Sequence, residues 1–329
     1  MNFKSFAGLS IIPCIVLVNA FCSSNHSSIK SSPSRIEYSK PYQVDHSIPP
    51  DSLNPFDLEI PRMTGNIPVI KHIGYAFQYS EKHEQAFWVA YCLTKEETEK
   101  AFERTDKFIP DPSVSTGTAT VADYSKSGYD RGHLAPAADM GWSAQAMAES
   151  FYFSNMSPQE PGFNRGIWKN LEELVRTWAK SYDSVYVVTG PVLKDGLVQI
   201  GPNGVSIPKY YYKVILDNSG SDAKAIGFLM PNQASQEALE HFAVSVDRIE
   251  QETGIDFFNK LSDSRENVLE KEVCISCWTW NVSTYSPHSQ NTNPQDGGTM
   301  TQCKGITKAG ARCKRKTSDA DGYCYQHKP

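Results

Sequence analysis

Hydrophobic and polar positions divide the chain into a strongly patterned centre and two loosely patterned ends. Apolar runs rich in β-branched and aromatic residues predict strands, and helical spacing of apolar residues predicts helices. The predicted strands cover 87–93, 184–189, 210–216 and 225–230, and the predicted helices cover 165–181 and 235–251. Because strands and helices mix without a regular βαβ alternation, the pattern favours an α+β fold for the central domain, residues 59–280.

Polar start signals place the beginnings of two of these elements. Ser235, with Glu237 close behind it, is expected to open the second helix. An apolar run that ends at Asn155 predicts another strand, and Pro158 then indicates a loop. Asn164 follows where a helix N-cap is expected.

The N-terminal end is typical of an exported protein. Residues 1–22 combine Lys4 with an apolar run that is too short to span a bilayer. Cleavage after Ala20 and lipidation of Cys22 are both open, so the predicted location is the periplasm, the outer membrane as a lipoprotein, or the medium. Residues 23–58, rich in Ser and Pro, then predict a flexible leader.

Charge is modest overall and uneven along the chain. A net charge of -5 and a pI near 5.9 argue weakly against a protein that coats nucleic acid. An enzyme that binds and cuts needs only a local positive cleft. Residues 303–329, after a polar linker at 281–302, carry seven Lys and Arg against two Asp, so this tail could contact phosphate.

The stretch Asp130-Arg131-Gly132-His133 contains the first candidate for chemistry. Glycine before the histidine permits a sharp turn that leaves the ring accessible. A neutral imidazole can take a proton from a water molecule. Glu172 lies eight residues beyond Asn164, on roughly the same face of the predicted helix. Isolated residues of these types are more often structural, so the combination carries the argument.

Together with other separated blocks, these residues resemble the DNA/RNA non-specific endonucleases, the ββα-metal nucleases. The resemblance covers about residues 68–270. It implies a ββα-metal fold with a central, mainly antiparallel sheet flanked by helices. The further blocks are His72–Tyr75, Trp88–Tyr91, Ser154–Gln159, Thr189–Pro191 and Thr253–Phe258.

The resemblance also implies a metal-assisted hydrolysis. His133 would deprotonate the attacking water. Asn164 would be the one direct protein ligand of Mg²⁺, with Mn²⁺ as an alternative, and Glu172 would hold metal-bound waters. Asn155 would fix the geometry around the histidine. The expected products carry a 5′-phosphate and a 3′-hydroxyl.

Two arginines complete the implied site. Arg131 would position the scissile phosphate, and an upstream arginine would stabilise the transition state. Arg104 is our choice for that second role, with Lys107 as its rival. Phosphate contacts carry no base-sequence information, so both DNA and RNA are expected substrates.

Alternative functions remain open at this stage. A phosphodiesterase for small nucleotides or a toxin nuclease would keep the same fold. A nucleic-acid-binding protein without catalysis, or an adaptor built around the tail, would change the class. Four other residues are interpreted as structural: His72, Trp168, Trp178 and Asp139, the last as a local cap or turn residue.

The tail predicts a small metal site. Three cysteines and one histidine form a Cys₃His set sufficient for tetrahedral Zn²⁺, and the pattern resembles a small module appended to bacterial and phage proteins. Disulfides are the alternative in an exported chain, and Cys274 and Cys277 lie nearby, whereas Cys92 reads as a buried thiol. The four candidate ligands are Cys303, Cys313, Cys324 and His327.

Overall fold

The computed structural model describes residues 57–280, 301–305, 312–313, 316–317 and 322. The export signal, nearly all of the leader and most of the linker lie outside the described residues, as do two candidate ligands of the tail, Cys324 and His327. Within the described part, no helix combines the length and the apolar character needed to cross a bilayer.

Seven antiparallel strands form the central sheet, in the order β2-β3-β4-β7-β10-β11-β12. The four strands predicted from the sequence are its long members, β4, β7, β10 and β11. The strands are β1 Arg62–Met63, β2 Val69–Lys71, β3 Ala76–Ser80, β4 Gln85–Thr94, β5 Asp130–His133, β6 Met156–Gln159, β7 Ser184–Pro191, β8 Gln199–Ile200, β9 Val205–Ser206, β10 Tyr210–Asp217, β11 Lys224–Pro231, β12 Ala243–Val244, β13 Ile255–Asp256, β14 Thr301–Gln302 and β15 Lys316–Thr317.

Helices cover both faces of this sheet, which explains why its long strands read as nearly continuous apolar runs. On one face, Trp178 of α3 packs with Val187. On the other, Ile249 of α4 and Leu269 of α5 pack with Val188. The predicted α+β class, with a mainly antiparallel sheet flanked by helices, is therefore confirmed. The helices are α1 Val121–Tyr124, α2 Ala144–Glu149, α3 Lys169–Tyr182, α4 Val246–Thr253 and α5 Asp263–Lys271.

The predicted helix 235–251 is wrong in its first half. Ser235 accepts a hydrogen bond from the backbone of Glu237 at 3.1 Å, but it opens only a turn. Residues 243–244 instead form β12, which pairs with β11. The helix starts at Val246, where the Ser245 side chain accepts from the Arg248 backbone at 3.3 Å. Pairing with the sheet edge thus overrides a local start signal.

Cysteines divide between a disulfide and thiols. Cys274 and Cys277 are disulfide-bonded, as the sequence allowed. Cys92 is a free thiol, as predicted, but it is only partly buried. Removal from solvent raises its pKa to about 12. In the tail, Cys303 and Cys313 are buried in one small cluster, beside the β14–β15 pair.

Candidate active site

A ββα unit organises the candidate site. β5 pairs antiparallel with β6, so that Asp130 faces Gln159 and His133 faces Met156. A helix follows β6 directly. Gly132 is required here by close packing, because a Cβ at this position would lie 2.2 Å from the Gln159 side-chain amide. Gly132 lies within β5 and not at a sharp turn, and His133 is only 8% exposed, so the expectation of an accessible ring is wrong. The glycine is needed for the close pairing of β5 with β6.

Asn155 secures the backbone immediately after the histidine. It lies in a 3₁₀ turn, Phe153–Asn155, rather than at the end of a strand as predicted. Its Oδ1 accepts from the Ala135 N–H at 2.8 Å, and its Nδ2 donates to the carbonyls of Ala135 and Ser150 at 2.9 and 2.8 Å. The side chain is fully buried, so its contribution is to fix the position of the His133 loop.

Asn164 does not cap the helix, in contrast to the prediction. The Glu160 carboxylate accepts from the Phe163 N–H at 2.8 Å, and the Asn164 N–H donates to the Glu160 carbonyl at 2.9 Å. Asn164 therefore sits inside the first turns, in a π-helical stretch from Phe163 to Trp168. Its Nδ2 donates to Asp130 Oδ2 at 2.9 Å.

A distorted turn separates Asn164 from Glu172. Gly166 has φ −107° and ψ −112°, which is not helical. The regular spacing that placed Asn164 and Glu172 on one face therefore does not apply across it. Asn164 lines the cleft described next, whereas Glu172 is not among its lining residues.

The ββα cleft is a cavity of about 430 Å³ beside β5. It brings together three of the residues predicted from the sequence: Arg104, Arg131 and Asn164. Lys107, the rival of Arg104, is not part of its lining. The other lining residues are Asp106, Phe108, Val121, Tyr124, Ser125, Tyr129 and Asp130.

Aromatic rings hold the histidine and both arginines. The His133 ring meets those of Phe108 and Phe151 edge-on, with centroids 5.9 and 5.0 Å apart. The Arg131 guanidinium lies 4.0 Å from the centroid of Phe108, and that of Arg104 lies 4.8 Å from the centroid of Phe151. Stacking of this kind orients a guanidinium without consuming its hydrogen-bond donors. Arg104 also donates from Nε to Asp106 Oδ1 at 2.5 Å, which leaves its two terminal nitrogens for a phosphate.

The His133 ring is buried and held in its neutral form. Burial lowers its pKa to about 3, and the positive charges of Arg104 and Arg131 contribute to this shift. Its Nε2 has no hydrogen-bond partner within the described chain. A neutral imidazole has one nitrogen without a hydrogen, and that nitrogen can accept a proton from a molecule that reaches it.

Asp130 is the acidic partner of Arg165 and lies near the charge of Arg131. Arg165 donates to both oxygens of Asp130, at 2.7 and 2.5 Å. Arg165 and Asn164 hold the pKa of Asp130 below its usual range against the effect of burial. Asp130 is thereby fixed as an anion that orients the Asn164 amide.

Glu172 is partly buried and lies close to the charges of Lys213, Arg176 and Asp139. Asp139 is fully buried and accepts from Tyr91 Oη at 2.7 Å and from Arg176 Nη1 at 2.6 Å. Burial raises the pKa of Glu172, and the nearby charges of Lys213 and Arg176 oppose that shift. Asp139 is thus more than a local cap or turn residue, because it pairs with Arg176, which is distant in the sequence.

The remaining structural interpretations agree with the structure. Trp168 and Trp178 are fully buried in the core. His72 is buried against Phe77, and its Nε2 lies 2.8 Å from Asp111 Oδ2. The sequence analysis did not identify Phe108 and Phe151 as residues of the site. The only sequence signal for such a role is an aromatic residue that lies near an arginine.

Comparison with known proteins supports what the geometry indicates. Residues 56–264 match the family described as DNA/RNA non-specific endonuclease. The chain belongs to this family. The ββα unit beside an antiparallel sheet is accordingly the ββα-metal nuclease fold, and membership places the chain among the non-specific endonucleases. Residues 300–329 match a domain of unknown function.

Individual relatives cover the same region. Nuclease C1 of Cunninghamella echinulata var. echinulata is 40% identical over 207 residues, covering 58% of this chain and 82% of that protein. Mitochondrial endonuclease G of Bos taurus is 39% identical over 198 residues, covering 56% and 66%. A chain from the crystal structure of the EndoG/EndoGI complex matches with a TM-score of 0.57 and 35% identity, covering 60% of this chain and 88% of its own.

Proposed function

We propose that the chain is an exported, metal-dependent endonuclease that hydrolyses phosphodiester bonds of DNA and RNA without base-sequence specificity. The observation that carries the proposal is the buried, neutral ring of His133 beside the charges of Arg104 and Arg131. The two arginines line the ββα cleft, and His133 lies behind that lining, in contact with Phe108. A neutral base beside two cations suits an anionic substrate. The names of the relatives, nuclease and endonuclease G, agree with this chemistry.

His133 would act as the general base. Its Nε2 takes a proton from water, the water oxygen forms a bond to phosphorus, and the bond from phosphorus to the 3′ oxygen breaks. The 3′ oxygen takes up a proton from solvent, which leaves a 3′-hydroxyl and a 5′-phosphate. The two arginines lower the pKa of His133 in the free protein. A bound phosphate offsets their charge, so substrate binding strengthens the base.

Arg104 and Arg131 would hold the phosphate. Both guanidiniums are oriented by aromatic rings, and both line the cleft. Each presents a planar set of donors that matches phosphate oxygens. Neither contact distinguishes one base from another, which accounts for cleavage of both DNA and RNA.

The residues at the ββα helix fit a hard divalent cation. Asn164 commits its amide nitrogen to Asp130, which reserves its carbonyl oxygen for a ligand. Mg²⁺ prefers oxygen ligands and keeps several waters, so one protein ligand suffices, and Mn²⁺ accepts the same donor. When bound, such a cation neutralises charge on the phosphate and the leaving oxygen. A role for Glu172 in holding waters of this cation rests on the family resemblance alone, because Glu172 does not line the cleft.

Export is proposed from the N-terminal sequence and supported by cysteine chemistry. Lys4 and the apolar run after it are typical of a signal, with cleavage after Ala20 or lipidation of Cys22. The disulfide between Cys274 and Cys277 is the kind of bond that persists in oxidising compartments.

For the tail we propose a structural Zn²⁺ site. Cys303 and Cys313 are buried in one cluster, and this supports their assignment as two of the four ligands. Cys324 and His327 would complete the set.

The test is cleavage of supercoiled plasmid and of total RNA by the mature protein, with and without EDTA. We expect both substrates to be cut, and EDTA to stop cleavage. Asn164→Ala should reduce cleavage by at least about 100-fold, because it removes the metal ligand. Asn267→Ala, an exposed asparagine of α5, is the matched control and should behave as the wild type.

Failure has a defined meaning for each arm. If neither polymer is cut with Mg²⁺ or Mn²⁺ supplied, endonuclease function is refuted in favour of small nucleotides or binding alone. If EDTA abolishes cleavage but Asn164→Ala does not, the metal is held elsewhere.

A further inference from the structure

Three carboxylates meet on the face of the central sheet that α4 and α5 cover. Asp247 and Glu250 project from the same side of α4, and Glu270 comes from α5. One oxygen of each lies within 4.8 Å of the others. We refer to Asp247, Glu250 and Glu270 as the α4–α5 carboxylate cluster. It shares no residue with the ββα cleft.

Glu270 occupies an unusual position in this cluster. It is only 4% exposed, and its Oε1 is buried without a hydrogen-bond partner in the described part of the chain. A buried carboxylate without a partner is strongly unfavourable, and two neighbouring carboxylates make it worse. The oxygen that lacks a partner therefore points to a ligand that carries positive charge.

The surroundings of Glu270 do not supply that charge. Burial and the nearby carboxylates, first Glu250, raise its pKa to about 10, and every charged neighbour that contributes is acidic. The basic residue on α4, Arg248, is paired with Glu252 at 2.6 Å. Glu250 has one oxygen engaged by the Phe257 N–H at 2.8 Å.

We propose that the α4–α5 carboxylate cluster binds a Ca²⁺ ion that holds α4 against α5. The three ligands are oxygens, which suits a hard cation rather than Zn²⁺. Ca²⁺ accepts several carboxylates in flexible geometry. Mg²⁺ demands near-ideal octahedral geometry and keeps several waters, so a partly buried set of three carboxylates favours Ca²⁺. The ion stabilises the layer behind the sheet and takes no part in hydrolysis.

The experiment measures thermal unfolding of the full chain during a Ca²⁺ titration after removal of metals. Asn164→Ala serves as the background, so that the cleft contributes no response. We expect Ca²⁺ at about 100 times its Kd to raise Tm by roughly 5 °C. Adding Glu270→Gln should weaken Ca²⁺ binding at least about tenfold. It should also raise Tm in chelator, because the Glu270 carboxyl, with a pKa of about 10, must take up a proton on folding and glutamine need not.

Glu252→Gln is the matched control. It removes one acidic charge from the same helix, but its carboxylate is already paired with Arg248, so the Ca²⁺ response should persist. Mg²⁺ at equal concentration should give a smaller shift.

Three results would overturn the proposal. These are no Ca²⁺-dependent shift in the Asn164→Ala background, an undiminished shift in Glu270→Gln, and an equal shift with Mg²⁺. If Glu270→Gln does not fold, Asp247→Asn replaces it under the same criteria.

Discussion

The region of the ββα cleft and the α4–α5 carboxylate cluster each contain a buried titratable side chain beside other charged groups. These groups are positive near the cleft and negative in the cluster. His133 is buried beside two arginines, and Glu270 is buried beside other carboxylates. Each has a nitrogen or oxygen without a hydrogen-bond partner within the described chain. Burial beside like-signed or incompatible charge is unfavourable unless a ligand compensates it. A phosphate would do so in the cleft, and a cation in the cluster.

Access distinguishes the two regions. Arg104 has a side chain that is 48% exposed and lines an open cavity, so a polymer can approach. Glu270 is almost inaccessible, which suits a small ion retained for stability. The comparison predicts that changes in the cleft alter turnover, whereas changes in the cluster alter unfolding.

The largest effect should come from His133→Ala. Loss of the general base should lower kcat/KM on plasmid by about 1,000-fold, with little change in Tm. Lys107→Ala, an exposed cation outside the cleft lining, is the control and should retain activity. Near-normal turnover by His133→Ala would remove the basis for the mechanism.

Arg104→Gln should lower turnover by about 100-fold, a smaller effect than that of His133→Ala. It should also change the pKa of His133. The Arg104 charge lowers the pKa of His133, so its removal should raise that pKa. Histidine resonances followed by NMR across pH measure the change. Arg248→Gln, on the opposite side of the sheet, should leave the His133 pKa unaltered. An unchanged pKa in Arg104→Gln would mean that burial and Arg131 hold the ring neutral without Arg104.

The pH dependence of the free energy of unfolding tests the titration of His133, when wild type is compared with a variant that lacks this imidazole. Its folded pKa, about 3, lies below the ordinary value of 6.5. Its neutral form therefore stabilises the fold fully above pH ~6.5, and this contribution is lost as pH falls towards 3.

The variant His133→Asn has no titrating group at this position. As pH falls from ~6.5 towards 3, the free energy of unfolding of wild type should therefore decrease, relative to that of the variant, by up to about 1.4 kcal/mol per pH unit. Denaturant unfolding at several pH values measures both proteins. Parallel curves would show that the ring does not resist protonation.

Deletion of residues 303–329 should have the smallest effect. The cleft lies wholly outside the tail, so kcat on short oligonucleotides should stay within about twofold. Binding of long nucleic acid should weaken, because the tail carries seven basic residues against two acidic ones. Circular dichroism and cleavage assays measure both. Loss of folding would show that the tail is part of the core.

The sequence predicted correctly the elements whose signal lies within a single short stretch of the chain. Long apolar runs identified β4, β7, β10 and β11, because strands covered on both faces need apolar side chains throughout. Local start signals failed where a partner from elsewhere intervened. Glu160 caps the helix expected to start at Asn164, and pairing with β11 moved the start of α4.

The sequence by itself determined the α+β class, the long strands and the residue types around His133, since these follow from hydrophobic patterning and from a motif contiguous in the chain. Only the tertiary structure decided that Arg104 rather than Lys107 lines the cleft, and that Asp139 pairs with Arg176. It alone brought Glu270 to Asp247 and Glu250. The physical reason is that electrostatic partners are chosen by distance in space, which packing sets and chain spacing does not.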